Sequence, residues 1–333
     1  MGVLNQLPKS ICSVPDCGET AGMVSTVITS YNKAPYLAEA IDSALAQDYS
    51  NQEILVIDDG STDRTPEVAS AYSNQIRYIR QENRGPSGAK NRGILEARGE
   101  FIAFLDGDDR WRPGKLARQV ECFHNHPTSA LVYTDRLVFR DSVVLSPSLR
   151  SEGKDLYRGR VLDQLLMCML IPFSSAMVRR KCLIEAGLFD ERLRAADDYD
   201  LWLRIGRLYG MDYVDEVLLE YRAATEGSIG SRLGNLFQIT TEIQNNFVQK
   251  YYGGKYPNPR ALAIGMANRY SVRGDYHLAH GRNFRALSAH LCALSYDCSN
   301  PHRLLNVLRS LIPDRCARVL KELLRRNGLI RPA

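Results

Sequence analysis

A chain of 333 residues, 44% hydrophobic and 24% charged, has the make-up of an ordinary globular protein and is long enough for one large domain with an appendage or for two moderate ones. The net charge of +5 is unevenly spread: from Pro301 onward eight Lys and Arg stand against two acids, so the remainder is near neutral and bulk charge excludes a nucleic-acid binder. No apolar run approaches the roughly 18 to 20 residues of a membrane helix, and Met1 to Gly22 lacks a positive segment followed by an apolar one, so the chain reads as neither exported by an ordinary signal nor membrane-spanning.

From Met23 the pattern alternates. VSTVITS (Val24 to Ser30) reads as a buried strand, and Leu37, Ala40, Ile41, Ala44 and Leu45 then share one helical face. EILVID (Glu53 to Asp58) is a second strand closed by Asp-Gly-Ser turn chemistry, with a short helix after Pro66. IRYIR is a third strand, Gly88 to Ala97 a helix, FIAFL a fourth strand, and a further helix starts near Pro113. Such alternation predicts an α/β fold, a mostly parallel sheet with helices on both faces. Far along the chain, Leu201, Ile205 and Leu208 form one stripe of an amphipathic helix that begins with Asp197, Asp198 and Asp200. Beyond about Gly234 the character turns helical, and small and aromatic residues from Gly265 to Leu294 have a tetratricopeptide-like look, though one loose copy makes no repeat array. The expected organisation is therefore an extension over 1–22, an α/β domain over 23–233 and a helical region over 234–333.

Ligands of open α/β sheets bind beyond the carboxyl ends of the strands. There this chain sets Thr29, Ser30, Tyr31 and Asn32, then Asp58 and Asp59, then Asp106 and Asp108. Neither a G-x-G-x-x-G after the first strand nor a G-x-x-x-x-G-K-[ST] anywhere supplies a glycine cradle for phosphates. The stretch FIAFLDGDDRW instead crowds Asp106, Asp108 and Asp109 together, and such close like charges call for a positive partner. A divalent cation bridging a nucleoside diphosphate needs only one or two carboxylates, and Asp106-Gly107-Asp108 offers both, with Gly107 allowing a sharp turn. The alternative is an Asp-rich turn that caps the following helix. Asp197 and Asp198 leave two readings open as well, since acids at a helix start are favoured by its dipole. Trp111 and Trp202, beside the two acidic motifs, could stack on a ligand or pack in the core.

Taken in order, VITSYNKAPYLAEAIDSALAQDY, EILVIDDGSTDRT, NRGPSGAKNRGI, FIAFLDGDDRWRPGKLARQ and FDERLRAADDYDLWLRI resemble the motifs of family 2 glycosyltransferases with the GT-A fold, over roughly Val24 to Arg222. The resemblance implies an inverting enzyme that uses a nucleotide-activated sugar, uridine diphosphate being the commonest carrier, with Mn2+ or Mg2+. It implies Thr29 and Tyr31 at the base and ribose, Asp59 on the base, Lys90 and Arg222 near the nucleotide, Asp106 at the ribose or metal, Asp108 on the metal and Asp198 as catalytic base. Two departures stand out. The family's usual Glu before the base is Asp197, and in YRAATEGSIGS, Tyr221 to Ser231, Ala223, Ala224 and Thr225 stand where many relatives carry His. The glycines and serines of that stretch suggest either a flap over bound nucleotide or a plain linker. The acceptor implied is a saccharide, a lipid-linked glycan or a protein.

The tail, RLLNVLRSLIPDRCARVLKELLRR, could form basic amphipathic helices against an anionic membrane, or dock on the chain's own helices. Eight cysteines, Cys12, Cys17, Cys122, Cys168, Cys182, Cys292, Cys298 and Cys316, contain no C-x-x-C pair and no histidine pair at zinc spacing. A reduced cytoplasmic setting follows, at the inner face of the membrane if the tail binds lipid. Two other readings are a nucleotidyltransferase, disfavoured by the lack of its glycine-rich loop, and a non-catalytic relative serving as a binding scaffold, disfavoured by the retained Asp106, Asp108 and Asp198.

Overall fold

The computed structural model describes residues 19–168, 171–223 and 233–311. The chain divides into two compact units, Met1–Val161 with Ile171–Thr225 and Leu162–Leu170 with Glu226–Ala333.

In the first unit β1 (Thr20–Ser30), α1 (Leu37–Leu45), β2 (Gln52–Asp58), α2 (Thr65–Ser70), β3 (Arg77–Arg80), α3 (Pro86–Glu96) and β4 (Gly99–Asp106) follow one another as the periodicity predicts. The four strands lie side by side in the order β3-β2-β1-β4 and all run parallel. Beyond them come β5 (Arg110–Trp111), α4 (Lys115–Asn125), β6 (Ser129–Arg140) and β7 (Val143–Ser146), and later β8 (Met177–Arg179), α6 (Arg180–Ala186), α7 (Asp197–Leu208) and β9 (Gly210–Arg222). This half of the sheet is mixed. β8 runs against both β4 and β6, β9 runs with β6, and β5 runs against β9. The β6–β7 pair has to be antiparallel because a tight turn joins the strands, with Asp141 at φ 52°, a conformation Asp tolerates better than most residues.

Alternation along the strands splits the core. Val24, Ile28, Val56, Phe101, Ala103 and Leu105 pack on one face with Leu37 and Ile41 of α1 and Leu116 and Phe123 of α4. On the other, Phe104 stacks on Phe173 at 4.9 Å, meets Phe189 edge-on at 5.7 Å and lies 6.4 Å from Trp202 of α7. Helix α3 comes so close to β1 that a Cβ on Gly93 would sit 2.2 Å from Cγ1 of Val27. Gly93→Ala should therefore lose about 1–3 kcal/mol to overpacking, outweighing Ala's better helix propensity. Urea unfolding checks this, and a Val27→Ala background should remove most of the added loss.

The second unit is helical: α5 (Leu162–Met167), α8 (Leu233–Tyr252), α9 (Pro259–Ala279), α10 (Asn283–Tyr296) and α11 (Pro301–Leu311). Asp163 of α5 accepts hydrogen bonds from Tyr256 at 2.5 Å and Asn258 at 2.7 Å, which ties α5 to the start of α9. α9 and α10 are joined by three residues and pack together, the His290 ring filling the notch at Gly274. Arg303, counted among the tail's basic residues, is an interior group: it is buried against Asp297 at 2.8 Å and Asn268 at 3.1 Å. Leu304, Leu308 and Leu311 are exposed along α11. The rest of the basic tail, residues 312–333, lies outside the described residues, as do Cys12 and Cys17. Among the described residues no helix is long and apolar enough to cross a membrane.

Candidate active site

The parallel register itself gathers the predicted groups. Thr29 at the end of β1 pairs with Asp106 of β4, and its neighbour Ser30 pairs with Asp58 of β2. The Thr29 hydroxyl donates to Asp106 Oδ1 at 3.2 Å, and Gly107 N–H donates to the Thr29 carbonyl at 2.9 Å. Gly107 is needed for this approach and not for a left-handed turn: its φ is not positive, whereas a Cβ would lie 3.0 Å from the Thr29 carbonyl oxygen and 3.3 Å from Ser30.

Each of the three aspartates of FIAFLDGDDRW has its own partners. Asp108 Oδ2 lies 2.5 Å from the Lys33 ammonium. Asp109 is buried and accepts from the Ser174 hydroxyl at 2.6 Å and from Arg222 N–H at 2.9 Å. Burial raises its carboxyl well above the usual range, and the charges of Asp108 and Asp106 push it further. Burial lifts Asp106 to about 6, with Lys90 pulling it down and Asp108 and Asp197 pushing it up. Arg222 closes this side. The β5–β9 pairing brings it in, its Nε donates to the Asp108 carbonyl at 2.8 Å, and its NH2 meets Glu39 at 2.7 Å. Glu39 also holds Arg110 at 2.8 Å.

The second acidic cluster begins α7. Ala196 precedes it with φ 55°, a left-handed conformation that is costly for a residue with a Cβ. Asp197 is buried and receives the Lys90 ammonium on both carboxylate oxygens at 2.9 Å, together with the Ser87 hydroxyl at 2.9 Å. Asp198 is half-buried and accepts a hydrogen bond from Tyr199 N–H at 2.8 Å. Burial, then the neighbouring Asp197 charge, pushes Asp198 up to about 6, against the pull of Lys90. The two clusters share one electrostatic neighbourhood, because burial and then the charges of Asp109, Asp106, Asp108 and Asp198 raise the Tyr221 hydroxyl.

The remaining predicted residues lie at the same strand ends. Asp59 is buried and accepts from Gln81 at 2.7 Å and from the Arg84 and Gly85 amides at 2.9 and 2.8 Å, so it holds the loop before α3. Tyr31 is 46% exposed and open to a ligand. Trp111 and Trp202 both pack inside: their indole N–H groups donate to the carbonyls of Ser174 at 2.8 Å and Ile171 at 3.3 Å. The Lys115 ammonium, 4.0 Å from the Trp111 ring centre, is fully buried, and burial depresses it well below the usual lysine range. The stretch from Ala224 through Ser231, and with it the expected flap, lies outside the described residues.

Sequence reasoning missed Lys33, Glu39 and Ser174. The first had a usable signal, since a lysine just past the β1 end is well placed to answer three crowded carboxylates. Glu39 and Ser174 were hidden, because what brings them here is the fold and not their spacing.

The donor set suits a hard divalent cation. Asp106 and Asp108 present two carboxylates at one strand end, Asp106 is raised first by burial and then by the charge of Asp108, and the substrate's phosphates would supply further oxygens. Such an ion would compete with Lys33 for Asp108.

Residues 25–186 match the family model described as glycosyl transferase family 2. An uncharacterized glycosyltransferase of Rickettsia typhi is 34% identical over 68% of this chain and 72% of its own length. The colanic acid biosynthesis glycosyl transferase WcaA, a putative assignment in Escherichia coli, is 32% identical over 56% of this chain and 67% of its own. A Rickettsia felis relative, also an uncharacterized glycosyltransferase, is 35% identical over 61% of this chain, which spans only 35% of that protein's length. Among solved structures, mannosyltransferase PcManGT from Pyrobaculum calidifontis, in complex with GDP-Man and Mn2+, aligns with TM-score 0.52 at 21% identity over 86% of this chain and 85% of its own. S. aureus TarS 1-349, in complex with UDP-GlcNAc, aligns with TM-score 0.51 at 16% identity over 82% and 89%. At such identities the structures establish the fold, GT-A-like with an added helical region, while the sequence relatives establish kinship: the chain belongs to glycosyl transferase family 2.

Proposed function

We propose that the protein transfers a sugar from a nucleoside diphosphate donor to a hydroxyl acceptor by a single inverting displacement. The observation that carries this reading is the pair of facing acidic clusters. One, Asp106 and Asp108, stands at the end of the central parallel strands, and the other ends in Asp198, a half-buried carboxyl raised to about 6. A sugar hydroxyl is a poor nucleophile, and a carboxylate titrating just below neutral pH is both ionised and basic enough to take its proton as it attacks. Asp197 and Lys90 fix the start of α7, and so the position of Asp198. Asp106 and Asp108 would hold Mn2+ or Mg2+, which when bound neutralises charge on the leaving diphosphate. Thr29, Tyr31 and Asp59 would line the nucleoside side, with Arg222 orienting Asp108 through its backbone.

The donor proposed is a uridine diphosphate sugar, supported by the TarS complex with UDP-GlcNAc; the GDP-Man in the mannosyltransferase complex marks the second choice. The name of WcaA supports a role in building a polysaccharide. A peripheral position on the cytoplasmic face of a membrane is supported by the exposed Leu304, Leu308 and Leu311 of α11, which lead into the basic tail.

Thermal unfolding against uridine, thymidine and guanosine diphosphates, with and without Mn2+, tests the reading. Stabilisation by one nucleotide that requires Mn2+ and disappears in Asp108→Ala is the expected outcome. At a nucleotide concentration of 100 times its Kd the gain should be about 2.7 kcal/mol. No shift with any nucleotide or its sugar derivatives would favour the scaffold reading instead.

A further inference from the structure

Remote from the strand ends, α4 and the beginning of β9 frame an open cleft lined by Cys122, His126, Arg158 and Tyr213 among others, with Asp212 buried beside it. Cys122 and His126 are four residues apart, and the His126 amide donates to the Cys122 carbonyl at 2.9 Å, so the helical turn is closed and both side chains project from one face. Asp212 is buried at the start of β9. Its Oδ2 lies 3.4 Å from His126 Nδ1, and its Oδ1 accepts from Tyr213 N–H at 2.8 Å and faces Arg158 Nε at 3.4 Å. One ligand atom from each of Cys122, His126 and Asp212 lies within 4.8 Å of the others.

We propose that Cys122, His126 and Asp212 bind one zinc-class transition-metal ion, with water completing a tetrahedral shell, as a clamp between the end of α4 and the start of β9. Thiolate, imidazole and carboxylate are zinc's ordinary donors. A tetrahedral ion bonded at about 2.0–2.3 Å sets its ligand atoms about 3.3–3.8 Å apart, so the trio has only to contract by about an ångström, within the reach of side-chain rotation. A soft sulfur ligand disfavours Mg2+ and Mn2+, the ions suited to the all-oxygen set of Asp106 and Asp108. The two sites are also far apart, since the ten residues from Asp212 to Arg222 extend about 30 Å along β9.

The clamp fits its surroundings. The Arg158 guanidinium, stacked 4.6 Å over the Tyr213 ring, has room to swing off Asp212 because it is largely exposed. Burial pushes the Cys122 thiol up to about 11, so without metal it is a neutral thiol, and coordination would release its proton.

The test uses the full chain carrying Cys12→Ser and Cys17→Ser, which removes the leader thiols as competing ligands. After chelation and dialysis it is titrated with Zn2+ alone and with Co2+ as a spectroscopic stand-in. One zinc per chain is expected, with tetrahedral cobalt absorption and a thiolate charge-transfer band. Cys122→Ser should abolish that band, and His126→Gln, a change on an exposed side chain, should weaken zinc by about a hundredfold or more. Asp108→Asn should leave both signals unchanged, separating this site from the carboxylates at the strand ends. Zinc bound equally by the parent, Cys122→Ser and His126→Gln, or no stoichiometric zinc at micromolar concentration, would overturn the proposal.

Discussion

Asp198→Asn should lower kcat/KM by about 100- to 10,000-fold while leaving the binding of nucleotide and metal close to that of the parent protein. Asparagine keeps the size and the hydrogen bond from Tyr199 N–H but cannot take a proton. The start of α7 is secured by Asp197, not by Asp198, so the fold should persist. Burial and the Asp197 charge raise the Asp198 carboxyl to about 6, so its ionised form prevails above that pH and is lost as pH falls through it. In the parent, kcat/KM should accordingly rise about tenfold per pH unit below about 6 and level off above it. With saturating Mn2+ present to keep Asp106 ionised, that limb should be missing from the residual activity of Asp198→Asn. An unchanged rate in the variant, or an acid limb that survives the substitution, would move the proton-accepting role elsewhere.

The sheet and its first helices were legible because both obey simple periods. Continuous apolar strands such as FIAFL announced burial on both faces, and the 3.6-residue spacing of Leu37, Ile41 and Ala44 announced the helix beside them. The mixed second half was not announced. Its short strands, such as Met177–Arg179 and Arg110–Trp111, are too brief to show alternation, and their direction follows from long-range pairing. The acidic site was legible as residue types at strand ends but not as a network. Stacking on a sugar stayed as open as packing for Trp111, and packing was the favoured reading for Trp202; in both, the N–H group ends on a buried carbonyl. Gly107 read as allowing a sharp turn, and the chain does turn there, but what spacing could not show is that close approach to Thr29 is what excludes a side chain. Lys90 read as a group near the nucleotide, with no hint that its ammonium is enclosed with Asp197 beneath Phe173 and Phe189, 4.1 and 5.1 Å from the ring centres. Spacing cannot reveal that partnership, because 107 residues separate the two.

That enclosed pair sets the largest expected stability effect. Burial alone would depress Lys90, but Asp197, and behind it Asp106 and Asp198, hold it above the usual lysine range. A raised lysine contributes stability that is complete below its unfolded value and lost only as pH rises through the folded one, so at neutral pH the contribution is in full force. Lys90→Met leaves Asp197 buried with only Ser87 and a backbone amide to answer its charge, and should cost about 3–5 kcal/mol. That is a fall of roughly 6 to 20 °C in Tm for a unit of this size. Adding Asp197→Leu should return most of the loss, because an apolar pair suits a pocket walled by phenylalanines. The same substitutions separate a positioning role from bulk stability. Lys90 lowers Asp198 and Asp197 raises it, so Lys90→Met should move the acid limb of kcat/KM to higher pH and Asp197→Asn should move it lower. Two changes at one ion pair that destabilise alike but displace the limb in opposite directions would identify Lys90 and Asp197 as the groups that tune the base. Limbs that stay fixed in both would leave the pair as a strut beneath α7 and nothing more.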